Sequence, residues 1–237
     1  MKLEVQLQGQ TITCEVIYRK RKTLEIQIKE PGTVRMLVPL KTTPKRVDEV
    51  LQLKAPWIIE KLALLEVASN LTTKAYVDGE QFLYLGSDYN LQIKVDRKIK
   101  KPFVALQGKQ LLVTTPTAEA NQIRKALVLW YRQQAQQIIE RRVAHHQRWL
   151  KKVPTEVKVK EQKKRWGSCT GAGKVLFNWR IVMAPLPIID YLVVHEMCHL
   201  QQMNHSKEFW QLVASILPDY QARRNWLKEH GVKLDIG

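Results

Sequence analysis

The run Val193–Trp210, VVHEMCHLQQMNHSKEFW, constrains this chain more than any other stretch. It grows out of LPIIDYLVV, an almost wholly apolar segment that reads as a helix entering a core. His195, Glu196 and His199 interrupt that apolar run, and His205 lies just beyond it. On an α-helix, residues four apart are offset by about 40° and about one turn. The imidazoles of His195 and His199 therefore point the same way and can converge on one cation. Glu196 sits roughly 100° around the helix from His195. From there its carboxylate reaches a water beside the cation more readily than the cation itself. The pattern is H-E-x-x-H, which places two zinc ligands and a general base on one turn.

A zinc site that keeps one position open needs a third protein ligand, and His205 is the candidate. A continuous helix would carry His205 off the face of His199 and too far along the axis. The helix must therefore end between them. Asn204 is expected to end it, because Asn tolerates the left-handed conformation. Ser206 then caps the next helix, with Glu208 in its first turn. The spacing from His195 to His205 matches the three-histidine pattern of the metzincins, although Gln202 stands where that pattern carries glycine. Without a metal, each of these polar groups would cost about 1–3 kcal/mol if buried unpaired; a single ion relieves all three. Cys198 is a rival ligand but reads better as a small buried core residue. Glu208 is another rival, or a partner to a ligating histidine. His145 and His146 are adjacent, face different directions and read as solvated helix residues.

Elsewhere the sequence changes period once. KLEVQLQG, TITCEVIY, TLEIQIKE and TVRMLVPL alternate as strands, with Gly9 and Pro31-Gly32 as turn signals. The stretch 44–69 reads as helix, split before Pro56. Strands resume as hairpins around Gly86-Ser87 and Gly108. From Thr117, its expected N-cap, a long helical pattern places Ile123, Leu127, Trp130 and Ile138 on one face. One strand follows at 155–162, two shorter ones surround Gly171-Ala172-Gly173, and the remainder is helical. The expectation is an α+β protein: a β-rich N-terminal lobe over 1–116, then a helical domain with a small sheet over 117–237. No internal repeat is apparent.

The formal net charge is +17, so weak, salt-sensitive attraction to nucleic acid or other polyanions is expected. The basic runs are Arg19–Lys22, Asp96–Lys101 and Lys158–Arg165, and each by itself reads as a solvated face or strand edge. Cys14, Cys169 and Cys198 are odd in number and scattered, which indicates a reducing compartment and no disulfide framework. The start of the chain lacks the apolar core of a signal peptide, and no stretch reads as a membrane span. A cytoplasmic location is expected.

RWGSC at Arg165–Cys169, LFNWRIVMAP at Leu176–Pro185, Tyr191–Trp210, Phe82–Ile93 and Val38–Leu62 together resemble the YgjP-like metallopeptidase domain family, which is related to the SprT-like and WLM proteases of the zincin group. The resemblance spans most of the chain. It implies a zincin-like second domain, with His195, His199 and His205 as Zn2+ ligands and Glu196 as the catalytic acid/base. It implies a peptide or protein substrate without defining which. Two readings stay open for RWGS. Arg165, Trp166, Gly167 and Ser168 line a cleft that accepts an extended peptide by strand addition, or Trp166 packs in a tight turn under the helix. Tyr191, Tyr220 and His230 are equal candidates for stabilising an oxyanion. The competing functional class is a basic nucleic-acid-associated protein with a zinc site, including a protease acting at DNA.

Overall fold

The computed structural model describes residues 1–29, 33–71, 74–162 and 165–237; the turn expected at Pro31-Gly32 lies outside them. The alternating segments form strands β1 (Lys2–Leu7), β2 (Gln10–Arg19), β3 (Glu25–Lys29) and β4 (Thr33–Pro39). They make one sheet in the order β1-β2-β4-β3, with β2 and β4 parallel and both outer pairs antiparallel. Thr43 caps α1 (Pro44–Leu53) by accepting from the Arg46 amide, and Pro44 suits the first helical position. Lys54 separates α1 from α2 (Ala55–Leu71) just before Pro56, as expected from the missing proline donor. Inward residues of the strands, among them Val5, Leu7, Val16, Val34 and Met36, pack with Val47, Leu51 and Ile58 of the helices in a core of their own.

The second unit begins with the same order of elements. Strands β5 (Gln81–Tyr84), β6 (Ser87–Val95), β7 (Phe103–Gln107) and β8 (Gln110–Thr115) form a sheet ordered β5-β6-β8-β7, again with a parallel central pair. A long helix, α3 (Ala120–His146), follows. The arrangement of four strands and a helix thus occurs twice, although no repeat is legible in the residues. Such a repeat preserves which positions face inward, not which residues fill them. The chain divides into compact units between Thr73 and Lys74. The boundary expected at Pro116 therefore falls inside the second unit, because the β5–β8 sheet shares its core with α3 through Phe82, Leu91, Leu111, Val113, Ile123, Leu127 and Tyr131. The fold class is α+β, as expected.

Two details of α3 differ from expectation. Its N-cap is Glu119, without a side-chain cap, and not Thr117. Its buried face is completed by Ile139, with Ile138 half-buried beside the core. The small sheet is ordered β10-β11-β9, from β9 (Glu156–Lys160), β10 (Gly167–Cys169) and β11 (Lys174–Asn178). A 3-10 segment, Trp179–Met183, leads into α4 (Leu186–Cys198), and α5 (Lys207–Ile216) and α6 (Tyr220–His230) complete the helical part.

Two devices set the position of α4. The β5–β6 hairpin turns on Leu85 and Gly86, both at positive φ (50° and 76°), the pairing that suits a tight hairpin. Its tip donates from Leu85 and Gly86 to the carbonyls of Val182 and Met183, at 2.9 Å each. A β-carbon at Gly86 would stand 2.7 Å from Pro185, so the close approach requires glycine. On the other side, Asp190 of α4 receives a two-pronged bond from Arg142 of α3 and lies 3.2 Å from His146. His146 is therefore buried against Asp190 and not solvated; His145 is exposed, as expected. No helix among the described residues is long and apolar enough to cross a membrane.

Candidate metal centre

His195 lies in the last turn of α4, and His199 is its C-cap. The chain then leaves the helix, as the three-histidine reading demands. The exit differs from expectation: His199 ends the helix in the right-handed region, and Asn204 is not at positive φ. Tight turns replace a left-handed cap, with the Leu200 amide donating to Met197 and those of Gln201 and Gln202 to Cys198, each at 3.0 Å. Ser206 caps α5 by accepting from the Phe209 amide, with Glu208 in the first turn.

This path brings the ligand atoms of His195, His199 and His205 within 4.8 Å of one another, a group that can hold a metal ion. The Nε2 atoms of His195 and His205 stand 3.1 Å apart. Two nitrogens at zinc bonding distance in tetrahedral geometry would lie about 3.3 Å apart, so the pair already has ligand spacing. His199 donates from Nδ1 to the Gln202 carbonyl at 3.0 Å, since a carbonyl can only accept. That bond leaves Nε2 with its lone pair free for a cation. Burial, reinforced by the neighbouring His199, His205 and Arg224, holds His195 down to about 3. Burial and the same neighbours, His199 and Arg224, push His205 below its ordinary value. Neutral imidazoles are the form that ligates. His195 Nδ1 is buried without a partner among the described residues. Three imidazoles whose ligand atoms converge fit a metal better than they fit a core.

Glu196 is only 5% exposed. Burial pushes its carboxyl up to about 8, with Arg165 opposing the shift. Gly167 of β10 lies directly against it: a β-carbon there would stand 2.6 Å from Oε1. Among the described residues, β10 pairs with β11 on one side only. Arg165 is exposed and Ser168 half-buried. Trp166 packs against the core, and a β-carbon at Gly231 would meet its ring at 2.9 Å.

Phe209, Trp210 and Arg224, which the sequence did not single out, adjoin the site together with Tyr220. Phe209, fully buried, stacks on His199 at 4.5 Å and meets His195 and His205 edge-on. Trp210 stacks on His205 at 5.5 Å, Tyr220 stacks on Trp210, and Arg224 lies over the Trp210 ring. The spacing of Phe209 and Trp210 from Ser206 could have signalled their place in the first turn of α5, but not which face meets the histidines. The rival ligands are not brought in. Cys198 is fully buried, its thiol pushed up to about 12 by burial, and Glu208 is exposed at the helix start. Tyr191 approaches His195 to 5.8 Å between ring centres, whereas His230 bonds to Trp226 within its own helix. The basic runs lie at turns and strand edges. Arg21 is paired with Glu25 and Lys158 with Glu156, and the last run is only partly within the described residues.

A helix bearing two histidines, with a third returned to it by a break and a buried carboxylate alongside, has the makings of a metal-dependent hydrolase centre. The chain belongs to the YgjP-like metallopeptidase domain family, whose model matches residues 22–230. No curated protein and no solved structure matches it.

Proposed function

We propose that the protein is a zinc-dependent peptidase that hydrolyses peptide bonds at the His195, Glu196, His199 and His205 site. The observation that carries this reading is the meeting of three imidazoles beside a buried carboxylate, in a chain of a metallopeptidase family. Imidazole donors suit zinc, and three of them leave a fourth position open. Zinc held there supplies a Lewis acid that polarises a carbonyl and acidifies water. Glu196 accepts the proton of the attacking water and returns it to the leaving amine. Its burial favours that role, since a desolvated carboxylate holds a proton more readily. An extended substrate lies along the edge of β10 opposite β11 and bonds to its backbone at Gly167 and Ser168. Arg165 faces the same edge as a cation for a substrate carboxylate. Phe209 and Trp210 keep water from the histidine side of the site.

The test is metal content by mass spectrometry on the wild type, His199→Ala and Glu196→Gln, followed by cleavage of peptide pools. The expected result is one zinc per chain, lost in His199→Ala and kept in Glu196→Gln, with cleavage only by the wild type. A wild type that takes up no zinc even on reconstitution would overturn the proposal.

A further inference from the structure

Two neighbouring arginines on α6 behave differently. Arg223 is used up in the fold: it bonds to Asp219 at 2.9 Å and to the Pro187 carbonyl at 3.1 Å. Arg224 is exposed and has neither a carboxylate nor a hydrogen-bond partner among the described residues. Its guanidinium lies 4.8 Å from the centre of the Trp210 ring. That indole is held by stacking on Tyr220 at 5.3 Å and on His205 at 5.5 Å, and it stands 5.7 Å from His195. A cation without a counter-ion is thus fixed on an aromatic platform that itself rests on a ligand of the metal centre. Stacking on an indole orients a guanidinium and leaves its N–H edge free, the geometry that receives a carboxylate through two parallel bonds.

We infer that Arg224 is a specificity residue that binds a carboxylate of the peptide substrate next to the metal centre, either the C-terminal carboxylate or an acidic side chain. The inference rests on the peptidase reading for its substrate, but its test does not depend on turnover. Arg165 precedes β10, whereas Arg224 of α6 lies over Trp210, the ring that stacks on His205. Of these two arginines, Arg224 is the one seated on an aromatic ring. Lysine in its place would keep the charge but lose the fork and most of the stacking.

The experiment measures binding of dye-labelled hexapeptides to zinc-reconstituted Glu196→Gln protein by fluorescence anisotropy. Three peptides are used: one with a free C-terminus, its C-terminal amide, and an amide ending in Glu. The free acid is expected to bind about tenfold more tightly than the plain amide, the scale of one charge-assisted contact. Adding Arg224→Gln should abolish that preference, and Arg224→Lys should retain part of it. Recovery of tight binding by the Glu amide would identify an acidic side chain as the source; no recovery would identify the C-terminal carboxylate. Equal binding of all three peptides, a carboxylate preference that survives Arg224→Gln, or no binding of any peptide would overturn the assignment. Cleavage by the wild type is assayed alongside. Cleavage without a carboxylate preference refutes only the role of Arg224, whereas the preference without cleavage refutes only the peptidase reading.

Discussion

Gly167→Ala is the sharpest test of how Glu196 is held. The added β-carbon would stand 2.6 Å from Oε1, 2.7 Å from Cγ and 2.8 Å from Cδ of Glu196. Ordinary contact begins at 3.4 Å, so the two groups must separate by about 0.8 Å. Glu196 is buried in the helix that carries His195, and β10 is paired along its length with β11. The side chain of Glu196 is the softer of the two and should be the part that moves. A displacement approaching 1 Å at a reacting group costs about 10²-fold in rate. Overpacking of this kind costs about 1–3 kcal/mol in stability. The histidines are not touched, so zinc content should be unchanged. The assay is steady-state cleavage of a peptide that the wild type cuts, with metal content and urea unfolding measured on the same preparation. Gly171→Ala is the control, since a β-carbon there meets nothing within 4 Å. Cleavage by Gly167→Ala within a factor of about three of wild type, with the protein folded and metal-loaded, would refute the placement of Glu196 as a base that must sit where it does.

Asp190→Asn should cost about 1.5–3 kcal/mol at neutral pH, because it strips the half-buried Arg142 and the buried His146 of their carboxylate. Burial alone would raise the Asp190 pKa, but bonds from His146 and Arg142 outweigh it and hold the carboxyl below the usual range. The wild type should therefore keep this contribution above about pH 4 and lose it as pH falls through the lowered value. Urea unfolding from about pH 3 to 7 should show a flatter acid limb for the variant; parallel limbs would contradict the sign. Phe209→Ala removes a fully buried ring stacked on His199 and should destabilise by about 3–5 kcal/mol, read from the urea midpoint with zinc chelated. Tyr131→Phe leaves the Leu83 carbonyl without its 2.7 Å donor and should cost about 1–3 kcal/mol in the same assay.

The strands, the split helix at Pro56, the helix breaks and the histidine constellation were all legible because each is written within a few neighbouring residues. Alternation in TITCEVIY and the four-residue spacing of His195 and His199 are local facts, and the backbone geometry that converts them into structure is local too. The expectations that failed were of another kind. The Pro116 boundary looked natural because the period changes there, yet the β5–β8 sheet and α3 fill one core. His146 looked solvated because its partner Asp190 lies 44 positions further on. Asn204 looked like the helix stop because its chemistry allows it, but the turn was made earlier by backbone bonds to Met197 and Cys198. The repeated sheet order leaves no mark in the residues, because a topology can recur while its residues do not.

By itself, then, the sequence determined which groups this protein has for chemistry: two histidines and a glutamate on one helical turn, a third histidine beyond a break, and the periodicities that build an α+β fold. Spacing along a helix is enough to aim side chains that are one turn apart. Only the tertiary structure decided what surrounds them. It pressed Gly167 against Glu196, stacked Phe209 on His199 and laid Arg224 over Trp210. Those neighbours come from segments separated by many residues along the chain. Their meeting depends on how sheets and helices fill a shared core, and packing of that kind carries no periodic signature in the chain.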